Sequence, residues 1–157
     1  MSHPLSNPSS PADRQNKKAE AALRVLIDRV VDSLSGTCGA QLGDRLRFLC
    51  DEWKEEEPTS PPSVASLSNL VAFLEMHLEM RCPDVALTPD GNFRAEWHDT
   101  DDRHLAVTFL PTGDVRFVVF ATVPTDGDRV DRVSGTTTHP RLMTVVEPFA
   151  VTRWTHA

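Results

Sequence analysis

The chain has 157 residues, 39% hydrophobic and 25% charged, enough to bury one core without disulfides or metals to hold it together. Its 16 Lys and Arg against 23 Asp and Glu give a formal net charge of -7, which repels a phosphate backbone unless a local basic stripe overrides it. No run approaches the roughly 20 consecutive apolar residues that a membrane-spanning helix needs.

Residues 1–12 carry Ser, Pro and Asn with almost nothing apolar, so the sequence predicts a disordered tail there. From Asp13 the pattern changes. Ala19, Ala22, Leu23, Ile27, Val30, Val31 and Leu34 recur at three- and four-residue steps, one face of an amphipathic helix, and Gly36 and Gly39 are expected to end it. Arg14, Lys17, Lys18, Arg24 and Arg29 are interleaved with Asp13, Glu20, Asp28 and Asp32, which makes a solvated helix face rather than a nucleic-acid footprint.

A second helix is expected from about Gln41 to Glu56, with Leu42, Leu46, Leu49, Cys50 and Trp53 on one stripe. The acidic run Glu55–Glu57 at its end opposes the helix dipole, so fraying is expected before a Pro-rich linker over 58–62. Ser63 or Ser66 caps a third helix over 63–82, whose Val64, Leu67, Leu70, Val71, Leu74 and Leu78 form an apolar stripe.

After Pro83 the period changes to two. Phe93, Ala95 and Trp97 alternate with Arg94, Glu96 and His98; Leu105, Val107 and Phe109 alternate with His104, Ala106 and Thr108. Pairing Phe93 with Phe109, Ala95 with Val107 and Trp97 with Leu105 keeps the apolar set on one face and puts His98 opposite His104. Asp99–Arg103 closes that hairpin. The next turn, Leu110-Pro111-Thr112-Gly113-Asp114, suits a three-residue hairpin loop with Pro in a type I turn and Gly in the left-handed bulge position. The third strand, Val115–Val123, turns Val115, Phe117 and Val119 to the core and Arg116, Val118 and Phe120 away from it.

A shorter fourth strand is expected around Val130–Gly135, where poor alternation leaves room for a bulge. Thr138 and Pro140 start a short helix that Pro148 stops, and Val151–Trp154 reads as a last extended segment. The expected fold is therefore α+β, one domain over 13–157, with N-terminal helices packed on a C-terminal three- to four-stranded antiparallel β-meander and a short C-terminal helix.

Residues that could carry chemistry are few. Cys38, Cys50 and Cys82 are an odd number without close pair spacing and no apolar signal segment opens the chain, which fits a reducing cytoplasm. No metalloprotease HExxH, nucleophile elbow, glycine-rich phosphate loop or CxxC occurs. His98 and His104, with Glu96 nearby, are the one pair that could supply two or three metal ligands or a hydrolase centre, but two exposed histidines at a strand end is the plainer reading. Asp99, Asp101 and Asp102 depart from an EF-hand spacing and read as a hairpin turn. Ser134–Thr138 reads as a strand end and helix cap rather than a phosphate turn. No metal and no cofactor are expected.

What remains is a composite surface of Arg94, Glu96, His98, His104, Thr108, Arg116, Val118 and Phe120 on the outer face of the meander, either an interaction face or a surface covered by the helices.

Several features form a familiar order: Trp53 in an acidic patch, Pro61 and Pro62 opening a helix, Cys82-Pro83-Asp84-Val85, the run Leu87–Gly91, and Glu96-Trp97. With Phe109–Gly113, Val115–Phe120, Ser134–Thr138 and Leu142–Pro148, they make residues 45–155 similar to a group of small bacterial proteins of unknown function. The shared features are turn glycines, prolines and core aromatics, so the resemblance implies a common fold and brings no catalytic residues.

Small size, acidic charge and absent catalytic motifs lead to a non-enzymatic interaction protein, an antitoxin-like or immunity-like partner in a bacterial stress or defence system that would meet a basic protein. Direct nucleic-acid binding and membrane association are not expected, and Val118 and Phe120 would make a natural homodimer patch. The alternative is a small-molecule-binding regulatory domain with a pocket between the sheet and the third helix, lined by Trp97, Phe109 and Phe117.

Overall fold

The computed structural model describes residues 11–34, 36–53, 60–99, 103–123, 126–149 and 151–156. Helix α1 (Pro11–Ser33) buries Leu23, Leu26, Ile27 and Val30 along one stripe. Its start at Pro11 suits a residue without an amide proton to leave unpaired. Gly36, at φ 69°, breaks the chain direction; Gly39 lies inside α2 (Gly36–Trp53), which buries Leu42, Leu46 and Leu49. The tail expected over 1–12 and the fraying expected at 55–57 fall mostly or wholly outside the described residues. Of the Pro-rich linker, residues 60–62 are described, with no helix or strand.

Helix α3 (Val64–Met76) starts where Ser63 Oγ accepts the Ser66 amide at 3.1 Å. It ends at Met76, not near residue 82 as its apolar stripe predicts. The backbone beyond it is committed elsewhere: Met80 forms a β-bridge with His156, and the Arg81 amide donates to the Thr155 carbonyl at 2.6 Å. Helix α1 lies against both α2 and α3. Arg29 grips both carboxylate oxygens of Glu75, with Nε 2.9 Å from Oε2, and Ser33 Oγ donates to the same oxygen at 2.7 Å.

Among the described residues the sheet has five antiparallel strands in the order β1-β2-β3-β4-β5, all joined to their sequence neighbours: β1 (Asp84–Leu87), β2 (Phe93–His98), β3 (His104–Phe109), β4 (Asp114–Val123) and β5 (Asp126–Thr138). The expected three to four strands are thus corrected to five. Strand β1 is the addition; its four residues are too few to display a period. The turn that follows it repeats the one after β3. Gly91 N donates to Thr88 O at 2.9 Å and Thr88 N to Asn92 O at 2.8 Å, matching Gly113 N to Leu110 O at 3.2 Å and Leu110 N to Asp114 O at 2.9 Å. Both are Pro-x-Gly loops whose glycine takes a positive φ, 82° at Gly91 and 95° at Gly113, as the left-handed position of a three-residue hairpin requires.

The β2–β3 register pairs Phe93 with Phe109, Ala95 with Val107, Trp97 with Leu105 and His98 with His104, as the alternation predicts. Strand β5 is longer than expected, and the irregularity in its ladder lies between Thr122 and Val123 of β4. On the inner face Phe93, Ala95, Trp97, Leu105, Val107, Phe109, Val115, Phe117 and Val119 are buried, and α3 lies over β2 and β3. After β5 come a 3-10 turn (His139–Arg141), α4 (Leu142–Val146), a second 3-10 turn (Glu147–Phe149) and α5 (Val151–Thr155). The last was expected to be extended. Val151 and Trp154, three residues apart, are both buried, which is a helical spacing and places both side chains in the core.

Cys38, in the first turn of α2, forms a disulfide with Cys82, just before β1. The expectation of three reduced cysteines is corrected: fold contact, not sequence spacing, brings this pair together, and Cys50 is outside the disulfide. Disulfides persist in oxidising environments, so cysteine usage no longer argues for a reducing compartment. No helix among the described residues is long and apolar enough to cross a membrane.

Candidate functional site: the outer face of the sheet

Strand alternation puts every second residue of β2 to β5 on the face opposite the core. Arg94, Glu96, His98, His104, Thr108, Arg116, Val118 and Phe120 all lie there, because the registers keep them in phase. Arg94, His98 and Arg116 are exposed, while Glu96, His104, Thr108, Val118 and Phe120 are half-buried among one another. The helices occupy the inner face, so the question left by the sequence, whether they cover this surface, is answered by the exposure of its arginines.

The residues form rows across the strands. One row is His98, His104, Phe120 and Arg132. The two imidazoles stack at 4.1 Å between centroids and 15° between planes; His104 and Phe120 are 5.7 Å apart at 8°; the Arg132 guanidinium lies 6.0 Å from the Phe120 centroid. This makes a continuous ladder of flat groups across four strands, with the attraction of a cation for an aromatic face at one end. The next row is Asp84, Glu96, Ala106, Val118 and Ser134, and the third is Ala86, Arg94, Thr108, Arg116 and Thr136.

Glu96 joins the rows. Its Oε1 accepts from Arg94, while Oε2 faces His98 Nε2 at 3.5 Å and His104 Nε2 at 3.8 Å. The three ligand atoms of Glu96, His98 and His104 lie within 4.8 Å of one another. Burial holds the His104 pKa below its ordinary value, the neighbouring His98 and Arg94 push the same way, and Glu96 opposes them. His104 Nε2 is buried and has no hydrogen-bond partner among the described residues.

Arg132, Ser134 and Thr136 belong to this surface and were missed, since β5 is polar on its outward side and its alternation is weak; the usable signal was the Pro-x-Gly turn before β4, which fixes the phase of that strand. The other candidates are not part of this surface. Asp99 pairs with Arg103, and its amide donates to the Arg103 carbonyl at 3.0 Å to close the hairpin, while Asp101 and Asp102 lie outside the described residues. Trp97, Phe109 and Phe117 are core side chains: Phe73 of α3 packs 6.2 Å from Trp97 and 5.6 Å from Phe109, ring to ring. A cleft of about 350 Å³ opens instead between α1 and α2, bordered by Leu23, Ile27, Cys50, Trp53 and Pro62.

Compared with protein-family models, with curated proteins and with solved structures, the chain gives no match.

Proposed function

We propose that this chain is a non-enzymatic protein-protein interaction module whose outer sheet face docks an acidic protein surface, in the manner of an antitoxin-like or immunity-like partner in a bacterial stress or defence system. The observation that carries this reading is a local departure from the net charge. The chain as a whole is at -7, yet this face exposes Arg94, Arg116 and Arg132, while its carboxylates are the half-buried Glu96 and Asp114 and, at the β1 edge, Asp84. Charges more than about 8–10 Å away are screened at physiological salt, so the local arginines, not the net charge, select the partner. This reading takes an acidic partner where composition suggests a basic one.

The test is affinity capture from the native host followed by cross-linking mass spectrometry. The expected result is one stoichiometric protein, cross-linked to the outer side of β4 and β5, released by salt and lost when Arg116→Glu and Arg132→Glu are combined. A partner that survives the double charge reversal, or cross-links only to the helices, would overturn the reading.

A second reading, a small-molecule-binding regulatory domain, is supported by the cleft between α1 and α2 rather than by the space under the sheet. A thermal-shift screen of metabolites and nucleotides tests it: stabilisation that disappears in Leu23→Arg supports it, and the absence of any stabilisation removes it.

A further inference from the structure

We infer that Glu96, His98 and His104 form a binding site for a single divalent transition-metal ion of the zinc class. The inference rests on three side chains and stands whether or not the surface around them docks a protein. Zinc binds imidazole nitrogen at about 2.0–2.1 Å and carboxylate oxygen at about 2.0–2.2 Å, so two ligand atoms on one tetrahedral ion lie about 3.4 Å apart. Glu96 Oε2 is 3.5 Å from His98 Nε2 and 3.8 Å from His104 Nε2, close to that spacing.

The surroundings suit the task. Arg94 holds Glu96 Oε1 and leaves Oε2 turned to the imidazoles, which orients the carboxylate as a single-oxygen ligand. Among the described residues His104 Nε2 is buried without a hydrogen-bond partner, a lone pair that an ion would satisfy. Strand register fixes the positions of His98 and His104, which are direct cross-strand partners. One adjustment is needed. A nitrogen lone pair lies in the plane of its ring, and two rings 15° apart cannot both aim at one point. His98, with 52% of its side chain exposed, is free to turn about its Cβ–Cγ bond, a torsion with a broad energy well.

The donor set decides the ion. Two imidazoles and one carboxylate, with no thiolate, match zinc, nickel, cobalt or copper(II) rather than copper(I), and they offer too few oxygens for calcium or magnesium. Three protein ligands leave at least one coordination position turned to solvent, open to water or to a carboxylate of a docked partner.

Isothermal titration of the full chain with zinc chloride at neutral pH, alongside NMR of the histidine Hε1 protons, tests the site. Expected are one saturating equivalent, shifts confined to His98 and His104, and affinity weakened about ten-fold or more in both His98→Asn and Glu96→Gln. His98 is exposed enough for its variant to fold, and His139→Gln, remote from the three ligands, should bind as the parent does. Absence of saturable binding at millimolar zinc, or equal affinity in the parent and both ligand variants, would overturn the inference.

Discussion

The Ser66 hydroxyl of α3 accepts the backbone amide of Phe93 at 2.8 Å and donates to the carbonyl of Phe109, so one buried side chain ties the helix to two paired positions of the sheet. Removing the hydroxyl takes one hydrogen bond from each of these two backbone groups. A buried hydrogen bond contributes about 0.5–1.5 kcal/mol, so Ser66→Ala should lower unfolding free energy by about 1–3 kcal/mol. A urea melt of the variant measures it, and a loss below experimental error would mean that another donor or water replaces the hydroxyl.

The Cys38–Cys82 disulfide closes a loop with a sequence separation of 44 residues. Beside it Arg45 Nε donates to the Val85 carbonyl at 3.0 Å, so α2 and β1 are joined by one covalent and one polar link. Chain-entropy arguments put the contribution of such a loop at about 4 kcal/mol. Cys82→Ser should therefore unfold at clearly lower urea than the oxidised parent. Alkylation of the denatured chain without reductant should label one cysteine, Cys50, and three after reduction.

Gly91 tests how tightly residues 60–62 are seated. Its φ is 82°, and a Cβ there would lie 2.2 Å from the Pro61 carbonyl oxygen, while its own carbonyl accepts the Ser63 amide at 2.8 Å. Gly91→Ala must shift backbone rather than a flexible side chain, and a loss of about 2 kcal/mol or more is expected. Because the adjoining Ser63 caps α3, amide exchange in the first turn of that helix should quicken in the same variant.

Histidine burial sets a pH dependence. Desolvation lowers the pKa of His77, against the pull of Glu79, and it lowers that of His139. A histidine with a folded pKa below its unfolded value takes up its proton in the unfolded state first. Stability is therefore full above the unfolded value of about 6.5 and falls as pH drops from there toward the folded pKa. Urea midpoints should decrease over that window, with a shallower slope in His139→Gln. A midpoint that rises on acidification would contradict the burial of these rings.

The β2–β4 core was legible because alternation and apolar pairing agree: one slipped residue would turn Phe93, Ala95 and Trp97 to solvent, so only one register is tolerable. The eight residues of the outer face followed from the same phase. Less was visible at either edge of the sheet. Strand β1 hides behind Pro83 in four residues, although Pro89-Asp90-Gly91 repeats Pro111-Thr112-Gly113 and marks the hairpin that makes it. In β5 Ser134, Thr136 and Thr138 alternate with Val133, Gly135 and Thr137, so polar residues occupy both sides and period two carries little contrast. The disulfide was beyond any spacing rule, since its partners meet only after α2 has reached β1. The ladder of His98, His104, Phe120 and Arg132 needed the β4–β5 register, and that register was the least readable part of the chain.

The order β1-β2-β3-β4-β5 also governs how the chain reaches this state. Each strand finds its partner next to it in sequence, so sheet assembly closes short loops one after another, and the entropy of each closure is offset by its own pairing before the next begins. The seating of α3 is different, because Ser66 must meet Phe93 and Phe109 across 27 and 43 residues. A chain whose thiols are still reduced can therefore zip up its meander early, with Phe93, Trp97 and Phe109 bare on one side until the helices arrive. That interval, rather than the finished fold, is when this protein is most exposed to aggregation.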